Sequence, residues 1–250
     1  MLQRFATSGS TFAPQIDHLI LLIAILVGFW FLAAEFALFW LCFRFRRREG
    51  HSAQYITGEE KHLSKWVTWP HFAVIVCDIV ILIPAILVWV NVKQSSPPAE
   101  QTVRIFSQQW AWSFQEPGPD GALDTADDIR TVGDLHVKVN ATYHFELQSR
   151  DVLHSFSVPE FRLKQDAVPG RAITGWFKTT RTGTFDIQCT QMCGMGHGLM
   201  AAHIIVETPE QHAAWMKSVS NPAAVATSVV APAPGTGAST EDSKFAEVRQ

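Results

Sequence analysis

Cys189-Thr190-Gln191-Met192-Cys193-Gly194-Met195-Gly196-His197-Gly198-Leu199-Met200 puts two thiols, an imidazole and a thioether into one short loop. These are soft donors, a set that favours copper over magnesium, calcium or manganese. A mononuclear blue-copper site uses one Cys with His ligands and a weak axial Met. Here two Cys stand four apart, so both sulfurs are able to bridge a pair of copper ions. The loop lacks a second imidazole, for which the best candidate is His154, in Asp151-Val152-Leu153-His154-Ser155-Phe156 just upstream. A bare disulfide would not need His197 and Met200 at those spacings, and a structural Cys2His2 zinc site has no use for a thioether.

Around this loop the chain alternates short β-branched or aromatic runs with turn formers. Val103–Phe114, Asp134–Val139, Thr142–Leu147, Val152–Val158, Ala172–Lys178, Gly183–Gln188 and Ala202–Val206 all read as strands. Pro117-Gly118-Pro119-Asp120-Gly121, Asn140, Pro169-Gly170 and Thr182-Gly183 separate them, a spacing that predicts a sandwich or barrel. Thr208-Pro209-Glu210-Gln211 then reads as a helix start, with Thr208 as cap and Gln211 completing a capping box, and the helix runs to about Val219. The Ala, Pro, Gly, Ser and Thr of 220–250 cannot bury enough apolar surface to fold, so a disordered tail is expected there.

Upstream, His18–Phe43 and Phe72–Val90 are almost wholly apolar, each long enough to cross a hydrocarbon core of ~30 Å as a helix. A secretion signal carries its positive charge before the apolar core. Here it comes after, as Arg44, Arg46, Arg47 and Arg48. The loop from Arg44 to Lys65 holds six Lys or Arg, against Arg4 alone before the first span, so the positive-inside rule places that loop in the cytoplasm. The expected organisation is an external segment 1–17, a transmembrane hairpin 18–93 (helices about 18–43 and 68–92), an external domain 100–219 and the tail 220–250. Glu35 and Asp78 fall within the spans, where ionisable groups either face protein and water paths or lie near an interface. Cys42 and Cys77 read as inert buried residues. A formal net charge of −3 gives no pointer to nucleic acid.

Together with Lys164-Gln165-Asp166-Ala167-Val168-Pro169-Gly170-Arg171 and Gln109-Trp110-Ala111-Trp112-Ser113, the copper loop and the His154 segment resemble subunit II of haem-copper cytochrome c oxidases. The resemblance covers about residues 15–218. It implies an α+β membrane protein: a two-helix transmembrane hairpin followed by a cupredoxin-like Greek-key β-sandwich, with the loop between its last two strands. Carried over by position, it implies a binuclear copper centre, CuA. Cys189 and Cys193 would be the bridging thiolates, His154 and His197 the terminal imidazoles, Met200 the weak thioether and Gln191 a carbonyl ligand. The family usually has Glu at that last position. Gln191 keeps the carbonyl but loses the anionic oxygen that suits magnesium, which counts against a magnesium ion at the subunit I boundary.

The same resemblance implies electron transfer from cytochrome c or a similar donor, received near Trp110, to a haem-bearing subunit I that reduces oxygen, with subunit III as a further partner. It also implies a bacterial inner membrane with the copper domain in the periplasm. The family commonly has Tyr where this chain has Ala111. Trp110 and Trp112, two apart on one expected strand, would share a face, and core packing fits Trp112 better. A copper-containing nitric oxide reductase subunit is the competing reading, with a copper chaperone or storage module as an alternative of another class. Gly118–Asp128 is an acidic insertion that breaks the EF-hand spacing, so a solvated loop able to steer a basic donor is expected rather than a calcium site. His136, His144 and His203 are expected to be satisfied by hydrogen bonds. No Cys-x-x-Cys-His is present for covalent haem.

Overall fold

The structure, a computed structural model, describes residues 7–50 and 56–220. The expected tail lies outside these from residue 221 on, as do the first six residues and His51.

Two long helices come first, α1 (Ala13–Arg44) and α2 (Lys61–Trp89), the second continuing through a wider turn over Val90–Gln94. Both start several residues earlier than hydropathy suggests. Pro14 begins α1 at a position where the missing N–H costs nothing, and Lys61, His62 and Lys65 extend α2 beyond its apolar core. Both are long and apolar enough to cross a membrane, and their most apolar windows are not buried within the chain. Phe36, Trp66 and Val67 stand 73, 74 and 75% exposed. Cys42 is exposed and Cys77 half-buried, rather than buried as expected. Cys77 Sγ accepts from Trp30 Nε1 at 3.2 Å, a link between the two helices. Asp78 is exposed and Glu35 half-buried.

The remainder is a sandwich of two five-stranded sheets. One has the order β3 (Ile129–Val132), β2 (Ala111–Glu116), β1 (Gln101–Gln108), β5 (Thr142–Ser149), β8 (Ile173–Lys178). The other has β4 (Asp134–Lys138), β10 (Ala201–Glu207), β9 (Gly183–Cys189), β6 (His154–Val158), β7 (Leu163–Ala167). The chain changes sheet after β3, β4, β5, β7 and β8. Among the described strands, only the β1–β5 and β4–β10 pairs are parallel. Alternation does the work expected of half-buried strands: Val103, Ile105, Tyr143, Phe145 and Leu147 point inward at 0% exposure. They meet Phe156, Ile187 and Ile204 from the facing sheet.

Three strand readings change. The run Val103–Phe114 is a hairpin, broken at Gln109–Trp110, so Trp110 lies in the turn and does not share a strand face with Trp112. β3 and β7 are additional. Their polar residues (Arg130, Thr131, Lys164, Gln165, Asp166) hid them, because edge strands tolerate outward polar side chains. Helix α3 (Pro209–Val219) closes the domain through the expected capping box of Thr208 and Gln211, worth about 1 kcal/mol.

Candidate metal centre

The antiparallel pairing of β6 and β9 sets Phe156 opposite Cys189, which brings His154 at the head of β6 beside the end of β9. Cys189 leaves that strand into the loop, and Met200 leads back into β10. The loop is closed by Cys189 N–H donating to the Met200 carbonyl at 3.3 Å and Thr190 N–H to that of Ser155 at 3.1 Å. Two strand ends and a short tight loop therefore converge on one point.

There the two sulfurs lie 3.8 Å apart. His154 Nδ1 is 3.9 Å from Cys189 Sγ, and His197 Nδ1 is 3.6 Å from Cys193 Sγ. Met200 Sδ stands 3.9 Å from Cys193 Sγ, and the Gln191 carbonyl oxygen 3.2 Å from Cys189 Sγ. His154, Cys189 and Cys193 offer ligand atoms within 4.8 Å of one another, all from buried residues. The structure thus gathers all six residues singled out from sequence, one imidazole against each sulfur. Thioether and paired sulfurs make the set soft, and the residues fit copper better than zinc or a hard cation.

Burial pushes the Cys193 thiol up to about 11, with Cys189 adding to the effect. The metal-free Cys193 is therefore protonated at neutral pH, and metal uptake must release its proton.

Around the donors sit further residues, of which Asp151 and Gln109 carry little sign of their role in the sequence. Asp151 Oδ1 accepts from His154 Nε2 at 2.8 Å. Partial burial works to raise the Asp151 carboxyl, but donation from His154 and from the Gln109 and Val152 amides outweighs it and holds the group below its ordinary value. An ionised carboxylate only accepts, so Nε2 carries the proton and Nδ1 keeps its lone pair for a metal. Trp112 is fully buried, its ring 6.2 Å from that of His154 and 5.4 Å from Phe156. Only the position of Asp151, three residues before His154, could have signalled its role.

Trp110 is 40% exposed and covers the loop. Its Nε1 donates to the Cys193 carbonyl at 3.2 Å, as does Gln109 Nε2 at 2.8 Å. A Cβ at Gly196 would lie 2.5 Å from the Trp110 ring, and Gly194 has φ +116° with the indole also close by. Glycine at both positions lets the ring rest on the loop backbone. Met192, Met195 and Leu199 of the same loop are 77, 97 and 86% exposed.

The acidic segment does not adjoin this face. It follows β2, whose six residues carry the chain ~20 Å away from Trp110. There Asp124 pairs with Arg104 at 2.8 Å, Asp127 accepts from Thr125 Oγ1 at 2.6 Å, and Asp128 accepts from the Asp124 amide at 2.9 Å. Most of its carboxylates are thus engaged by protein donors. His136, His144 and His203 contact Glu207, the Pro97 carbonyl and Asp134, as satisfied histidines should.

The sequence profile described as cytochrome c oxidase subunit II, periplasmic domain, matches residues 101–208. The chain is 36% identical over 216 residues to the alternative cytochrome c oxidase subunit 2 of Bradyrhizobium diazoefficiens, covering 77% of this chain and 76% of that one. It is 40% identical over 130 residues to cytochrome c oxidase subunit 2 of Thermostichus vulcanus, covering 52% of this chain and 36% of that one. Among solved structures, the periplasmic domain of subunit II of cytochrome oxidase from Bradyrhizobium japonicum matches at 29% identity with a TM-score of 0.44, over 50% of this chain and 96% of that one.

Proposed function

The chain belongs to the cytochrome c oxidase subunit II family, and on that premise we propose that its six gathered donors hold a binuclear copper centre through which electrons enter a haem-copper oxidase. Membership makes it a membrane protein with a periplasmic domain and one component of an oxidase. The copper count, the individual ligand roles, the bacterial inner membrane, and the haem-bearing subunit I and subunit III as neighbours are our reading.

The observation that carries it is the pairing of the donors: two sulfurs 3.8 Å apart, each with its own imidazole nitrogen within 3.9 Å. A mononuclear blue-copper site would use only one of the two Cys, and a Cys2His2 zinc would leave the Met200 thioether without a role. A copper pair held by Cys189, Cys193, His154 and His197 would supply one-electron chemistry, its charge shared over both metals. The protein holds the geometry still. His154 and Cys189 are fixed by a strand pair, Asp151 locks the His154 tautomer, and Trp112 and Phe156 keep water from the inner side. Trp110 offers an exposed aromatic edge tied by one hydrogen bond to the Cys193 carbonyl, a short route from the surface to a residue that would hold the copper.

Gentle purification with the native membrane partner tests this reading. Expected are copper in this chain, haem in the partner, and oxygen consumption driven by a one-electron donor reacting first with this chain. Nitric oxide turnover without oxygen turnover would move the assignment to a nitric oxide reductase, and a partner without haem would end it.

A further inference from the structure

The residues just before α1 do not hang free of the sandwich. Gly9 N–H donates to the Glu160 carbonyl at 2.8 Å, Thr180 N–H to the Gly9 carbonyl at 3.1 Å, and Thr11 N–H to the Lys178 carbonyl at 3.1 Å. Ser10 forms an antiparallel bridge with Thr179, and its hydroxyl donates to the Phe161 carbonyl at 2.8 Å. Ser10, Phe12 and Ala13 are at most 1% exposed. Gly9 is required, because a Cβ there would lie 2.6 Å from the Phe161 ring.

The start of α1 and the end of α2 then meet on one residue of β8. Phe12 packs edge-on against Trp176 with centroids 5.4 Å apart, while Trp176 Nε1 donates to the Val92 carbonyl at 3.0 Å. Arg162 grips Asp17 of α1 through two nitrogens, at 2.6 and 3.1 Å. The short connection from Gln94 to Gln101 alone would leave the sandwich free to rock over the hairpin. These contacts remove that freedom at several points on two faces.

We propose that the strap of residues 8–17 is a positioning device, with Phe12, Asp17, Arg162 and Trp176 setting the height and tilt of the metal-bearing domain over the membrane and so its distance from the electron acceptor below. This rests on the electron-transfer role proposed above. An attached but rocking domain would hold its metal equally well, so metal content and positioning are separable. Among the described residues, the partners of these four lie in α1, at the end of α2 and in the sandwich away from the donor set.

The test places spin labels, carried by genetically encoded residues rather than cysteine, at Val132 on the domain and Phe43 at the far end of α1, in the full chain in lipid nanodiscs. Wild type, Phe12→Leu and Arg162→Lys should give one narrow distance peak. Phe12→Ala with Arg162→Gln should lose it to a broad distribution while copper content and reduction by an external donor stay as in wild type. In the assembled oxidase the same double variant should lower oxygen turnover roughly tenfold or more, since ångström-scale misplacement has effects of that size. A broad distribution in wild type, a narrow one in the double variant, or loss of copper from it would each overturn the proposal. A wild type that takes up no copper or accepts no electrons would instead remove the functional reading, and the distances would still decide whether the strap fixes the domain.

Discussion

Asp151 and His154 are joined by a 2.8 Å hydrogen bond from the imidazole Nε2 to the carboxylate, and the opposite ring nitrogen faces Cys189 Sγ at 3.9 Å. The carboxylate sets the tautomer before any metal arrives. Asp151→Ala should lower copper affinity by about 10–100-fold, read by competition against a chelator. Asp151→Asn, whose amide oxygen still accepts, should lose less. Equal affinity in wild type and Asp151→Ala would show that the ring is oriented by Trp112 and Phe156 alone.

Cys189→Ser and Cys193→Ser should each abolish binding of the copper pair, because one thiolate cannot bridge two metals as a pair does. Met200→Leu should keep both coppers and shift the reduction potential, since a distant thioether tunes a site rather than holding it. Metal analysis beside redox titration separates these outcomes. Loss of all copper from Met200→Leu would reverse the ranking of ligands.

The two tryptophans should behave differently. Trp110→Ala should slow reduction by the donor while leaving copper content intact, as Trp110 lies half-exposed on the loop. Trp112→Ala, emptying a fully buried position against His154, should cost about 3–5 kcal/mol of stability. Stopped-flow reduction and denaturant unfolding read the two effects. Asp127→Asn and Asp128→Asn should leave the association rate unchanged, because that loop sits at the far end of β2. A marked fall would restore it as a steering surface.

Burial pushes the Glu116 carboxyl up to about 8 from an ordinary 4.5, against a hydrogen bond from the His136 amide and with repulsion from Glu207 added. The folded state therefore holds this proton more tightly than the unfolded chain. Its contribution to stability is full below 4.5 and is lost as pH rises through about 8. Glu116→Gln should flatten this fall and raise the denaturation midpoint at the alkaline end of the window. Unchanged pH dependence in the variant would place the titration elsewhere.

The donor set and the hairpin were legible because each rests on residue types with few other uses in such patterns. Cys189, Cys193, His197 and Met200 are close in sequence, and a tight loop has little choice but to bring them together. Asp151 and Gln109 were not legible, since a lone carboxylate or amide acquires its role only when strands from different parts of the chain meet. The split of Val103–Phe114 escaped for a related reason: Gln109-Trp110 lacks the Gly, Asn or Pro that marks a turn, and contacts with the Cys193 carbonyl stabilise it instead. From sequence, the strap over residues 8–17 is no more than part of an external segment. Its Ser10 and Phe12 look unremarkable until Thr179 and Trp176 are set against them.

The most direct test of the central claim is the copper content and electron paramagnetic resonance of the full chain, purified in detergent and loaded with copper. Two coppers per chain, and an oxidised spectrum of one unpaired electron shared equally between them, are predicted. One copper with a mononuclear spectrum, or zinc that copper cannot displace, would contradict the account.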